Sequence, residues 1–191
     1  MNIVGVVLAG GQSSRYGKPK MFEQYKGKAF YEHSVDALST SQIDSVFIVT
    51  NHLLASKFAR SDARVLIEEE THNGPLYALT FAMKEIPHAD WYVVLAADIP
   101  YISSKVIDAL VKYTYDSDYD AIVPVTGEKE QPLVAIYHRR CLPFAEEILS
   151  ENRRSMRPLL QKMNVNYIQF SSSQKEFTNI NYERDWSEEH E

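Results

Sequence analysis

Short apolar runs rich in β-branched residues alternate with helical patterns from one end of the chain to the other, and this alternation constrains the fold more than any other feature. The strand candidates are Ile3–Leu8, Val46–Thr50, Val65–Ile67, Tyr92–Ala96, Ala121–Val125, Leu133–Tyr137 and Tyr167–Phe170. Most are apolar throughout rather than alternating with polar residues, which suits strands covered on both faces. Between them the pattern predicts helices over Phe30–Leu38, Leu54–Arg60, Leu76–Ile86, Lys105–Tyr113, Pro143–Leu149 and Arg157–Met163. Leu76, Leu79, Met83 and Ile86 mark one face of the third. Gly74 is read as its N-cap, and Ser103 or Ser104 as that of the fourth. Such alternation implies an α/β domain with a mostly parallel central sheet, whose ligands sit beyond the carboxyl ends of the strands.

With 191 residues, 45% of them hydrophobic, the chain suits a single domain. The domain is expected over residues 1–186, with the acidic tail 187–191 frayed. The net charge is −6, and the pairs Arg139-Arg140 and Arg153-Arg154 are too short to be a nucleic-acid footprint. An anionic ligand must therefore be met in a local basic pocket. Cys141 is the only cysteine, which excludes an internal disulfide and a thiolate metal cluster. The apolar start, Ile3–Leu8, is far shorter than the ~20 residues that cross a bilayer. The expectation is a cytoplasmic protein with no membrane and no nucleic-acid partner. The six histidines show no ligand spacing.

The first strand candidate runs into Ala9-Gly10-Gly11-Gln12-Ser13-Ser14-Arg15-Tyr16-Gly17-Lys18-Pro19-Lys20. Paired glycines let backbone N–H groups approach a ligand, two serines add hydroxyl donors, and Arg15, Lys18 and Lys20 add positive charge. This composition makes an anion cradle, although a solvated Gly/Ser loop would look similar. Two familiar phosphate loops are excluded. A P-loop has four residues between its glycines and Ser or Thr after the Lys, whereas Pro19 follows Lys18. A dinucleotide fingerprint separates its first two glycines, whereas Gly10 and Gly11 are adjacent.

Leu8-Ala-Gly-Gly-x-Ser-x-Arg15-x-Gly17, followed by Lys20, resembles the signature of the molybdenum cofactor guanylyltransferase family and its nucleotidyltransferase relatives. Further stations follow in order. Gly74-Pro75-Leu76 resembles the family's Gly-Pro-Leu, although Tyr77 departs from its usual continuation. Asp98-Ile99-Pro100 resembles its Asp-x-Pro. Gln131 to Ala135 resembles its Pro-x-x-Ala strand, and Asn179-Ile180-Asn181 with Asp185 resembles its C-terminal Asn-x-Asn. Glu68 or Glu69 stands where the family has an Asp that contacts the nucleotide, and the sequence leaves the choice open. Arg153-Arg154 resembles the family's basic turn.

The resemblance implies a three-layer α/β/α, Rossmann-like nucleotidyltransferase fold and transfer of GMP from GTP to molybdopterin. Lys20, Arg15 and Asp98 would be catalytic, with Mg²⁺ on Asp98 as the cofactor. Leu8, Ala9, Gly10, Gly11, Lys20, Glu68, Glu69, Gly74, Pro75, Leu76 and Asp98 would bind GTP. Arg153, Arg154, Asn179 and Asn181 would face the acceptor. The implied protein partners are transient ones that deliver molybdopterin or mature molybdoenzymes. Asp98 is expected to emerge as a solvated carboxylate. The alternatives are a cytidylyltransferase or another small nucleotidyltransferase of the same fold, and a non-catalytic nucleotide-binding protein.

Overall fold

A computed structural model describes residues 1–11, 16–40, 42–59, 62–69, 73–115 and 117–180. Ten strands and five α-helices alternate along it: β1 (Ile3–Leu8), β2 (Gln24–Tyr25), β3 (Lys28–Ala29), α1 (Phe30–Leu38), β4 (Ser45–Asn51), β5 (Ala63–Glu68), α2 (Gly74–Glu85), β6 (Trp91–Ala96), α3 (Ser104–Val111), β7 (Ala121–Thr126), β8 (Lys129–Glu130), β9 (Val134–His138), α4 (Leu142–Ser150), α5 (Arg157–Lys162) and β10 (Val165–Phe170). The main sheet runs β10-β7-β9-β6-β1-β4-β5, with β8 paired to β7. The pairings of β1 with β4 and β6, of β4 with β5 and of β7 with β10 are parallel. β9 runs antiparallel to both β6 and β7.

The continuous apolar runs serve two cores, one on each face of the sheet. On β1, Ile3 and Val7 point into a core shared with Val35 and Leu38 of α1 and Ile107 and Leu110 of α3. Val4 and Val6 point the other way, towards Leu79 and Met83 of α2, Ile148 of α4 and Leu159 of α5. The predicted face Leu76, Leu79, Met83 and Ile86 is buried throughout. The three-layer fold expected from the sequence is therefore the one the chain adopts, including all seven expected strands.

Several local expectations are corrected. The helix expected over Leu54–Arg60 is only a 3-10 turn, Ala55–Lys57, and Arg60 lies outside the described residues. Leu54 and Phe58 instead bury their side chains within a short connection, with Phe58 packed on the rings of Tyr31 (4.8 Å between centroids) and Phe22 (5.0 Å). The N-cap of α2 is Asn73, and Gly74 is the first helical residue. Ser103 is the N-cap of α3. The hairpin β2–β3 and the short strand β8 carry no apolar signature and were not anticipated. The expected tail 187–191 lies outside the described residues, which contain no helix long and apolar enough to cross a membrane.

Candidate active site

Chain order reverses at β1: the chain passes first to β4 and β5 on one side, then returns to β6 on the other. Open α/β sheets bind ligands at such a switch point, beyond the strand ends. Register aligns those ends, because Leu8 pairs with Val49 on one side and Ala96 on the other, and Asn51 pairs with Glu68. Two residues past Leu8, Gly10 thus falls between Asn51 and Asp98, with Glu68 on the next strand.

The entry to the loop after β1 is tied down by side chains of β4. Thr50 Oγ1 donates to the Ala9 carbonyl at 3.0 Å, and Asn51 Nδ2 donates to that of Gly10 at 3.3 Å. Asn51 Oδ1 also accepts from the Leu53 amide, at 3.0 Å. Glu68 approaches Gly10 closely: a Cβ there would lie 2.8 Å from Glu68 Oε2 and would push that carboxylate aside. Glu68 is buried and Glu69 exposed, so Glu68 is the one the fold sets against the loop. Burial pushes the Glu68 carboxyl up from 4.5 to about 7. Gln12 to Arg15 lie outside the described residues, and with them the expected phosphate contact of Arg15.

On the other side of β1, Lys20 Nζ meets Asp98 Oδ2 at 2.5 Å, both side chains 16% exposed. Asp98 is therefore ion-paired and largely buried, not the solvated carboxylate expected. The segment after β10 is stitched to it. The Ile180 amide donates to the Asp98 carbonyl at 3.1 Å, Asn179 Nδ2 lies 3.4 Å from Asp98 Oδ1, and Lys20 Nζ also donates to the Ile180 carbonyl at 2.9 Å. The fold thus brings together Lys20, Asp98, Asn179 and Ile180 across 160 positions of sequence. Asn181 lies outside the described residues. Lys18 points elsewhere, to Glu23 at 2.8 Å.

Gly74 and Arg154 also meet. Gly74 has φ +82°, a conformation that L side chains rarely adopt, and a Cβ there would lie 3.0 Å from both the Cβ and the carbonyl oxygen of Arg154. That carbonyl accepts from the Leu76 amide at 3.2 Å, which satisfies one of the open donors of the first turn of α2. Pro75, also in that turn, has no N–H to leave open. The Arg153 guanidinium stays on the surface beside Glu151, at 3.7 Å, so Arg153 is not gathered with the others. A polar cavity of about 250 Å³ opens beside Asn179, lined by Thr126, Lys129, Gln131, Ser172 and Gln174 among others. Gln131 Nε2 donates to Thr126 Oγ1 at 2.8 Å and fixes one wall.

Two polar groups of this edge escaped the sequence reading, Thr50 and Asn51. Their signal was positional, since both close an apolar strand next to the first one. Asp98 supplies one hard oxygen-donor group, and among the described residues there is no cluster of three His, Cys, Asp or Glu able to enclose a metal. That donor set suits a cation whose remaining ligands are phosphate oxygens and water, as is usual for magnesium.

A glycine loop, a lysine and one carboxylate beyond the ends of a mostly parallel sheet suit a polyphosphate ligand, and the chain is of the nucleotidyltransferase class. Within that class, the chain belongs to the family of MobA-like NTP transferase domains, whose model matches residues 5–167. It is 34% identical over 192 residues to a protein of Halalkalibacterium halodurans named "Probable molybdenum cofactor guanylyltransferase", covering 97% of this chain and 96% of the relative. A protein of the same name from Bacillus cereus strain Q1 is 35% identical over 188 residues, covering 95% and 92%. The crystal structure of molybdopterin-guanine dinucleotide biosynthesis protein A from Archaeoglobus fulgidus shares the fold, with a TM-score of 0.77 at 22% identity over 98% of this chain and 96% of that one. The chain is an enzyme, a nucleotidyltransferase of the molybdenum cofactor guanylyltransferase family.

Proposed function

We propose that the chain transfers GMP from GTP to molybdopterin and releases pyrophosphate, with Asp98 holding Mg²⁺. The observation that carries this reading is the Lys20–Asp98 pair, set between the glycine loop of β1 and the segment 178–180. A polyphosphate and a hard cation have one site each there. The names of the relatives supply the guanine and the acceptor.

The nucleophile is a phosphate monoester, whose second pKa lies near ~6, so it attacks the α-phosphorus already ionised and needs no general base. Repulsion between two anions is the obstacle, and the protein answers it with fixed charge and alignment. Lys20 gives up Asp98 for the β- and γ-phosphates and stabilises the departing pyrophosphate as a point charge, assisted by Arg15. Asp98, released from Lys20, would hold the metal. When bound, magnesium supplies Lewis-acid neutralisation of phosphate oxygens.

Backbone groups of Leu8, Ala9, Gly10 and Gly11, Glu68, and the Gly74-Pro75-Leu76 turn hold the nucleoside. Arg154 reaches the acceptor from the Gly74 side and Asn179 from the cavity beside β7, and Asn181 shares in binding it.

A thermal-shift panel of GTP, CTP and ATP with and without Mg²⁺ tests the reading. Stabilisation follows RT ln(1 + [L]/Kd), roughly 2.7 kcal/mol at a hundredfold excess of ligand over Kd. GTP with Mg²⁺ is expected to give the largest rise in Tm. An equal or larger rise with CTP moves the assignment to a cytidylyltransferase. Binding of GTP without transfer to molybdopterin identifies a nucleotide-binding protein that does not turn over.

A further inference from the structure

Both carboxylate oxygens of Asp98 are occupied in the empty protein. Oδ2 meets Lys20 Nζ at 2.5 Å, and Oδ1 accepts from Asn179 Nδ2 at 3.4 Å. Lys20 Nζ makes a second contact on the same side, donating to the Ile180 carbonyl at 2.9 Å. The Ile180 amide returns to the Asp98 carbonyl at 3.1 Å. One ammonium thus closes a ring of three segments: the 3-10 turn after the glycine loop, the end of β6, and residues 179–180. The last segment has an apolar seat at each end. Ile180 is buried against Tyr16 and Phe30, and Phe177 is buried with its ring 5.0 Å from that of Phe170. Between the seats, Thr178 and Asn179 form a wall of the cavity beside β7, and the Asn179 amide is drawn in to Asp98.

Two tasks are incompatible with this ring. A hard cation needs an Asp98 oxygen, and a polyphosphate needs the Lys20 charge. Lys20 resists displacement by a lone cation, because the pair is only 16% exposed and its attraction there is stronger than in bulk water. A triphosphate meets no such resistance. It carries several negative charges against the single one of Asp98, and it attracts Lys20 instead of competing with it. We propose that Lys20 is a latch, which keeps the metal carboxylate closed and Asn179 drawn in until a polyphosphate pulls it away. The nucleotide therefore binds first and prepares the places of both metal and acceptor. Once Lys20 leaves, Asp98 Oδ2 is open, Ile180 loses the donor on its carbonyl, and Asn179 can turn to the cavity. GMP has its one phosphate at the α position, does not reach Lys20, and leaves the latch shut. The latch rests on the nucleotide reading above and deepens it by adding an order of assembly. Coupling through one shared group is reciprocal, and its usual size is about 5–150-fold in affinity.

Two measurements test the latch. In the first, Mn²⁺ is titrated into metal-free wild type, Lys20→Met and Lys20→Met/Asp98→Asn, with free Mn²⁺ read by electron paramagnetic resonance. Lys20→Met is expected to bind Mn²⁺ about tenfold or more tightly than the wild type, and the double variant to lose that gain. In the second, hydrogen exchange of the Ile180 amide is followed without metal. Inorganic triphosphate is expected to speed this exchange about tenfold in the wild type, and GMP to leave it unchanged. Lys20→Met should exchange fast from the start and ignore triphosphate. A thermal melt checks its folding, because Asp98 loses its buried cation. If Lys20→Met does not fold, exchange in the wild type decides alone. A wild type that binds Mn²⁺ at least as tightly as Lys20→Met overturns the latch and leaves the nucleotide reading standing. So does an Ile180 amide that stays protected with triphosphate bound. A wild type that binds neither triphosphate nor GTP overturns both.

Discussion

In the free protein Lys20 and Asp98 neutralise each other at 16% exposure, so removing one charge strands the other in a largely dry place. Asp98→Asn keeps the shape and the Asn179 neighbour but takes away the charge that holds both Lys20 and a metal. A single-partner deletion in a buried pair costs 3–5 kcal/mol, and here water reaches the pair, so roughly 1–3 kcal/mol is expected. At this chain length that corresponds to a fall in Tm of about 2–12 °C. Turnover should fall about 10²–10⁴-fold, because the repulsion between attacking and leaving phosphates loses its countercharge. High Mg²⁺ or Mn²⁺ should recover part of the turnover and none of the apo stability. The check is GTP-dependent transfer to molybdopterin across a metal titration, beside melts of the apo proteins. Near-wild-type turnover in a well-folded Asp98→Asn would falsify the metal role.

At the scale of elements, the central strands were legible because each is apolar enough to be covered twice, the edge strands β5 and β10 kept a partly exposed face, and register then did the rest. Once β1 is flanked by β4 and β6, Gly10, Asn51, Glu68 and Asp98 must share one edge. What the sequence hid were contacts that no local pattern encodes. Asn51 follows an ordinary buried strand, and the Lys20–Asp98 pair joins residues 78 positions apart, which leaves no periodic trace. The choice between Glu68 and Glu69 is likewise a matter of which side chain the end of β5 turns inward. The helix expected at 54–60 failed because Leu54 and Phe58 satisfy helical spacing while packing from a turn. Gly74 was read as a cap, yet its conformation and the proximity of Arg154 are what require it. Gly74→Ala would combine a backbone penalty of about 1–2 kcal/mol with a Cβ 3.0 Å from the Arg154 backbone. The loop around Arg154 should shift rather than the sheet. The expected result is a Tm lowered by a few degrees and a raised KM for the acceptor, read from a melt and from steady-state kinetics at saturating GTP. An unchanged acceptor KM would remove Arg154 from that site.

The whole molecule is acidic, with a net charge of −6, and its cations are spread over helices and strand ends in pairs such as Lys28–Asp36, Lys84–Glu146 and Lys162–Glu147. Glu68 is a buried carboxylate in this acidic body, and its cost should appear in the pH dependence of stability. Its carboxyl rises from 4.5 to about 7 through desolvation alone. Between those values the native state holds a proton that the unfolded chain has lost, so stability falls as pH rises. The contribution of this group is fully present below 4.5 and is lost as pH climbs through about 7. A rise of that size corresponds to about 3 kcal/mol at most. Glu68→Gln does not titrate there. Apo wild type and Glu68→Gln should therefore differ little in their response near pH 4.5, and the variant should gain on the wild type steadily up to pH 8. At 2–4 °C per kcal/mol the relative gain is about 6–12 °C. Melting curves of both apo proteins from pH 4.5 to 8 check this. Parallel curves would show that Glu68 is ionised and already satisfied in the empty protein.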